Sequence, residues 1–147
     1  MNINQTQQKN HEISNPATLY DPTDFGYSHV ATVPPNSTMI YVSGQGGGQH
    51  KQDTISNFRS QVRQAFENLK LALASQESSM QDIVKLTTLV VNHNKDKHQV
   101  LIEESQKHWP DKDFPTQSLI PVARLAVDGM LFEVEAVAAK PQTETRD

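Results

Sequence analysis

The sequence predicts a two-layer α/β sandwich of the α+β class, with two helices on one face of a mixed sheet. Three observations carry that expectation. Short apolar runs bounded by Pro, Gly, Asn and Asp recur along the chain. An apolar stripe at helical spacing runs from Phe58 to Leu73. The elements then follow in the order β-β-α-β-α-β-β. A chain of 147 residues fits one domain and can bury a core. The expected organisation is a flexible N-terminal tail over 1–12, a single domain over 13–140 and a C-terminal tail over 141–147.

The first two strands are "SHVATV" and "TMIYVS", joined by a turn at "PPNS". A glycine-rich turn, "GQGGGQ", follows. Asp53 or Thr54 can then cap a helix in which Phe58, Val62, Phe66, Leu69 and Leu73 share one face. Arg59, Arg63, Gln64, Glu67 and Lys70 fall on the other faces and read as a solvated surface. Ile83 to Val91 is rich in β-branched residues and apolar on both alternating faces, which suits a central strand. Asn94 can cap a second helix that ends at Trp109-Pro110 and carries a weaker stripe of Val100, Leu101 and Trp109. The last strands are "TQSLIPVARL" and "MLFEVEAVAA", with a turn at "VDG" between them. Pro121 lies inside the first of these and implies an edge or a bulge. Two helices cover one face of such a sheet, and a second copy of the chain can cover the other.

The glycine run raises the question of a phosphate cradle, and its spacing answers no. A P-loop requires G-x-x-x-x-G-K-[ST], whereas Lys51 follows Gly48 by three residues and is followed by Gln52. A dinucleotide fingerprint requires G-x-G-x-x-G, and only its first half is present at Gly44-Gln45-Gly46.

Composition excludes further classes. The formal charge is −4 and there is no basic stripe, which disfavours a dedicated nucleic-acid binder. There is no cysteine, so thiol catalysis, disulfides and cysteine-ligated metals are out. The six histidines form neither H-x-H nor H-E-x-x-H, and no metal site is expected. No apolar run approaches the roughly 18 residues that span a bilayer, and the N-terminus lacks an apolar signal region. A cytoplasmic protein is the expectation.

Two places carry candidate chemistry. Glu133 and Glu135 are i, i+2 on a strand, so their Cα atoms lie about 6.6–7 Å apart on one face, where paired carboxylates can position a water. On composition alone a solvated or subunit-facing charged surface is the preferred reading of the pair. "FPTQSLIPVARL" enters its strand through Thr116, Gln117 and Ser118, a polar start that can line a pocket or simply meet solvent.

Taken together, "YVSGQ", "VRQAFENLKLAL", "DIVKLTTLVV", "FPTQSLIPVARL" and "FEVEAVA" resemble the Rid (reactive intermediate deaminase, YjgF-like) family in order and spacing, from about Asn15 to Ala139. The resemblance implies a chorismate-mutase-like fold, a homotrimer and a small-molecule cleft at each subunit interface. It implies hydrolysis of enamines and imines of 2-amino acids to keto acids and ammonia, without metal or cofactor. Residue by residue, it places Tyr27, Ser43, Gly44, Gln117 and Leu119 around the substrate and makes Glu135 the catalytic, water-positioning carboxylate. The family reads P-x-R-S where this chain has Pro115-Thr116-Gln117-Ser118, and the usual Cys is Leu119. A neutral Gln cannot make the charge-assisted fork that Arg makes to a carboxylate. Losing that contact costs about 2–5 kcal/mol of binding. The resemblance therefore implies weak or absent deamination of ordinary 2-imino acids. The alternatives are a true enamine/imine deaminase, a non-catalytic ligand-binding or chaperone-like protein, and, less favoured, a ribonuclease.

Overall fold

The stripe at Phe58, Val62, Phe66, Leu69 and Leu73 lies on one face of helix α1 (Phe58–Ala74), and all five side chains are buried. The computed structural model describes residues 9–48 and 57–142. Asp53 and Thr54, read as possible caps, lie outside them. The described helix is capped by Asn57, whose side chain accepts from Ser60 N at 2.9 Å. Helix α2 (Lys95–His108) starts as the sequence predicts, with Asn94 Oδ1 accepting from Lys97 N at 2.8 Å. It ends at the fully buried Trp109.

Among the described residues six strands accompany the helices: β1 (Glu12–Ser14), β2 (Val30–Thr32), β3 (Ser37–Gly46), β4 (Ile83–Val91), β5 (Thr116–Val122) and β6 (Phe132–Pro141). The main sheet has the order β3-β6-β4-β5, with β4–β5 parallel and the other pairs antiparallel. The β-branched run of β4 is a central strand, as its two apolar faces require. Pro121 sits on the edge strand β5, where its missing N–H breaks no ladder.

The sequence reading differs from the structure at three places. First, the sequence reading has no strand at Glu12–Ser14. There β1 pairs antiparallel with β2, the core of "SHVATV", in a separate two-stranded sheet, Ile13 facing Ala31. Second, residues 9–12, assigned to the tail, are built into the fold. His11 is buried, Glu12 pairs with Thr32, and Lys9 bridges Asp113 at 3.1 Å. Third, Arg59 and Arg63 are not a plain solvated face. Arg59 Nη1 and Arg63 Nε donate to Glu104 Oε1 at 2.8 and 3.0 Å, and Lys107 Nζ donates to Oε2 at 3.0 Å. The Glu104 side chain is 2 % exposed, so three cations close over one buried carboxylate and clamp α1 to α2.

Both helices pack on the sheet face formed by Leu86 and Val90 of β4 and Phe132, Val134, Ala136 and Ala138 of β6. The opposite face carries Tyr41, Lys85, Thr87, Glu133, Glu135 and Ile120 by strand alternation. Tyr41 is 75 % exposed there and Ile120 46 %. This is the face the sequence reading left for a second copy.

Candidate functional site

The β3–β6 ladder breaks once. Val42 faces Ala136 and Gln45 faces Val134, so Ser43 and Gly44 together oppose Glu135 in a bulge. On its other side Glu135 pairs with Thr87 of β4. Ser43, Thr87, Glu135 and Lys85 line a groove of about 380 Å³ on the helix-free face. Glu133, two residues back on the same face, lies across Gly44. A Cβ built on Gly44 would fall 2.0 Å from Glu133 Oε1, so the glycine makes room for that carboxylate.

Tyr27 and Gln117 meet elsewhere. Ser28 bridges Thr116 in parallel pairing, and Ser28 N donates to Pro115 O at 3.1 Å. That bridge sets Tyr27 beside the start of β5. Gln117 and Leu119 pair with Leu86 and Thr88, whose side chains face the helices. Gln117 Nε2 donates one N–H to the buried Thr88 Oγ1 at 3.2 Å. Tyr27, Gln117 and Leu119 line a cavity of about 710 Å³ with Tyr20, Phe25, His93 and His98.

The six residues named from the sequence thus fall into two groups within one chain. Ser43, Gly44 and Glu135 lie at the β3 bulge on the helix-free face. Tyr27, Gln117 and Leu119 lie at the edge strand, turned toward the helix side. A third depression at the β5 edge, about 380 Å³, contains Tyr27, Gln117 and Lys85. Lys85 borders both that depression and the Glu135 groove. Sequence reading passed over Lys85, because nothing in "DIVKLT" separates it from an ordinary surface lysine.

It also missed Tyr20, Phe25, His93 and His98 as pocket residues. These come from two separate segments and share no motif. Tyr20 and Tyr27 are hydrogen-bonded through their hydroxyls. Phe25 lies nearly parallel to His98, 13° apart with centroids at 6.3 Å. His98 meets His93 at 5.7 Å. Burial, with His98 and Lys97 adding, holds the His93 imidazole below its usual pKa. The turn that presents Phe25 depends on Gly26, whose φ of +80° closes it and whose missing Cβ admits Ile102 of α2. Among the described residues no cluster of three or more His, Cys, Asp or Glu is placed to hold a metal ion. No described helix is long and apolar enough to cross a membrane.

This architecture is shared with proteins already known. YyfB of Yersinia pestis, a protein of unknown function in the conserved Rid family, superposes with a TM-score of 0.83 at 27 % identity, covering 89 % of this chain and 99 % of its own. A family model described as endoribonuclease L-PSP matches residues 21–140. The chain belongs to this family, that of the Rid proteins. Among its Rid relatives, Escherichia coli TdcF, provisionally named as a reactive intermediate deaminase, is 31 % identical over 107 residues, 70 % of this chain and 80 % of the relative. The solved structure of TdcF with bound serine superposes with a TM-score of 0.61 at 23 % identity, covering 74 % of this chain and 91 % of TdcF. The two helices on a mixed four-stranded sheet are therefore the Rid fold. The match begins at Asp21, so β1 and the strap before it lie outside the family model.

Proposed function

We propose that this Rid protein hydrolyses an imine or enamine in a cleft completed between two copies of the chain, within a homotrimer. The observation that carries this reading is the division of the site. Glu135 and Ser43 face outward on the uncovered sheet face, while Tyr27 and Gln117 sit at the sheet edge, so a single chain offers two incomplete half-sites. A neighbouring copy seated on the helix-free face would bury Tyr41 and Ile120 and can oppose its edge to the Glu135 groove.

In the proposed reaction Glu135 accepts a proton from water as the oxygen bonds to the imine carbon. The C=N π electrons move to nitrogen, which takes the proton held by Glu135, giving a carbinolamine. Glu135 then carries the hydroxyl proton to the amino nitrogen, which leaves as ammonia while the carbonyl forms. An enamine enters by prior protonation at carbon. No cofactor is required by this balance.

Gln117 stands where the resemblance expects Arg. Its NH₂ gives one N–H to Thr88, so the amide offers a ligand one neutral N–H and a carbonyl oxygen. A carboxylate finds there one neutral donor in place of a charged fork, which supports weak turnover of ordinary 2-imino acids. The binding of serine by TdcF supports a small-molecule site in the same fold. Ribonuclease activity is the less favoured reading. Among the described residues lining the two grooves, the only lysine or arginine is Lys85, and a phosphate backbone needs several.

The test is ammonia release from enzymatically generated 2-aminoacrylate and from an imine lacking a carboxylate, with light scattering on the same sample. About three chain masses and turnover of the second substrate are expected. A stable monomer, or ammonia release from neither substrate, would overturn the reading.

A further inference from the structure

We propose that the cavity between β5 and α2 binds an uncharged, flat, ring-bearing ligand with an N–H donor, and that Phe25 and His98 select it. This rests on the imine/enamine reading above and names its substrate class.

The walls decide the chemistry. Tyr20, Phe25, Tyr27, His93 and His98 present five rings around the cavity, with Leu119 and Gln117 completing it. The described lining residues include no carboxylate, lysine or arginine. A ligand carboxylate there meets no lysine or arginine to replace the water it gives up. A neutral ring loses little and gains contact area against aromatic faces and edges.

The rings also hold one another in place. Tyr20 meets Phe25 edge-on at 6.2 Å and His29 at 4.9 Å, and its hydroxyl is tied to that of Tyr27. Phe25 in turn lies along His98. A wall fixed in this way is organised before the ligand arrives, which reduces the ordering cost of binding. A volume of about 710 Å³ accepts a substituted ring and lies within the usual range of small-molecule sites.

The polar end fits the same ligand. With one Gln117 N–H given to Thr88, the amide keeps Oε1 as an acceptor beside its second N–H. That oxygen suits the N–H of an imine, enamine or amide. Tyr27 and Gln117, which the resemblance places around the substrate, line the same cavity as Phe25 and His98, and that ring wall specifies what accompanies the reacting group.

The experiment compares two probes that share a ring, phenylacetamide and phenylacetate, by NMR titration. It also follows hydrolysis of an isolable N–H aryl ketimine at mildly alkaline pH. Phenylacetamide should bind at least about tenfold tighter than phenylacetate, and Phe25→Ser or His98→Leu should each weaken it about tenfold. Phe25 is half-exposed, so its variant should fold, and a thermal melt verifies this. Tighter binding of phenylacetate, abolished by Lys85→Met, would overturn the proposal and assign a carboxylate to Lys85. Failure of both probes to bind would also overturn it. Binding of the amide without ketimine hydrolysis would keep the ligand class and sink the hydrolase reading. Hydrolysis of carboxylate-bearing imines without amide binding would do the reverse.

Discussion

Gln117 Nε2 donates to Thr88 Oγ1 at 3.2 Å, and Thr88 is fully buried. Gln117 is thus itself a partner of the core. Any replacement acts on the cleft and on Thr88 together.

Gln117→Arg should raise turnover of 2-aminoacrylate at least about tenfold, since a guanidinium supplies the two-pronged charged donor that the amide lacks. It should also lower stability by about 1–3 kcal/mol, because the Thr88 hydroxyl loses its partner. Adding Thr88→Val should recover most of that stability while keeping the activity. Glu135→Ala in the Arg background should abolish the gain. Steady-state ammonia release and urea melts read both effects. A folded, inert Arg variant would show that the cleft lacks more than its anchor.

Glu104 carries the second prediction. Burial raises its pKa, and the hydrogen bonds from Arg63, Arg59 and Lys107 outweigh that and lower it. A depressed carboxyl stabilises the fold above its unfolded pKa and loses that contribution as pH falls through the folded value. Urea melts should therefore show stability dropping below about pH 4.3. Glu104→Gln should lose about 1–3 kcal/mol at neutral pH and flatten that acid limb. An unchanged limb would place the acid sensitivity elsewhere.

His11 gives a slope at higher pH. It is 3 % exposed and neither ring nitrogen has a hydrogen-bond partner among the described residues. Burial and Lys9 lower its pKa against the opposing pull of Asp82 and Asp113. Its pKa in the folded protein lies below the ordinary 6.5, so stability falls as pH drops through that value, where the unfolded chain gains the proton first. His93 and His108 act in the same direction, so the comparison must be with a variant. His11→Phe should shrink the loss between neutral and mildly acidic pH in thermal melts. Equal losses in parent and variant would count against the strap as an acid-sensitive element.

The glycine run separates into two kinds of requirement. A Cβ on Gly47 would lie 2.6 Å from the Cα of Gln61, in the backbone of α1, which cannot swing aside. Gly47→Ala should cost about 1–3 kcal/mol by overpacking. At Gly44 the obstacle is the flexible end of Glu133. Gly44→Ala should fold with little loss and displace that carboxylate instead. Melting temperatures that rank the two variants in the opposite order would refute the assignment.

Local pattern made much of this fold readable. The stripe on α1, the β-branched run of β4, Pro121 at an edge and the alternation of Glu133 and Glu135 against Phe132, Val134 and Ala136 each reflect one element's own periodicity. What stayed hidden depends on distance along the chain. β1 is three residues long, too short to show a period, and it takes β2 away from β3. Arg59 and Glu104 are 45 residues apart, so their clamp has no sequence signature. The ring wall joins Tyr20 and Phe25 to His93 and His98 only after α2 has folded back beside β5.

The position of β6 has a consequence for the order of assembly. It is the last strand described, yet it lies between β3 and β4 and pairs with both. Ser37 finds its partner only at Pro141. A nascent chain exposed as far as β5 can form the parallel β4–β5 pair, but β3 has no neighbour in the main sheet. The closing step must therefore insert a strand between two waiting edges across a separation of about a hundred residues, which topology makes slow. Until it does, two apolar strand edges remain open, and truncation before residue 132 should yield an aggregating chain rather than a smaller domain.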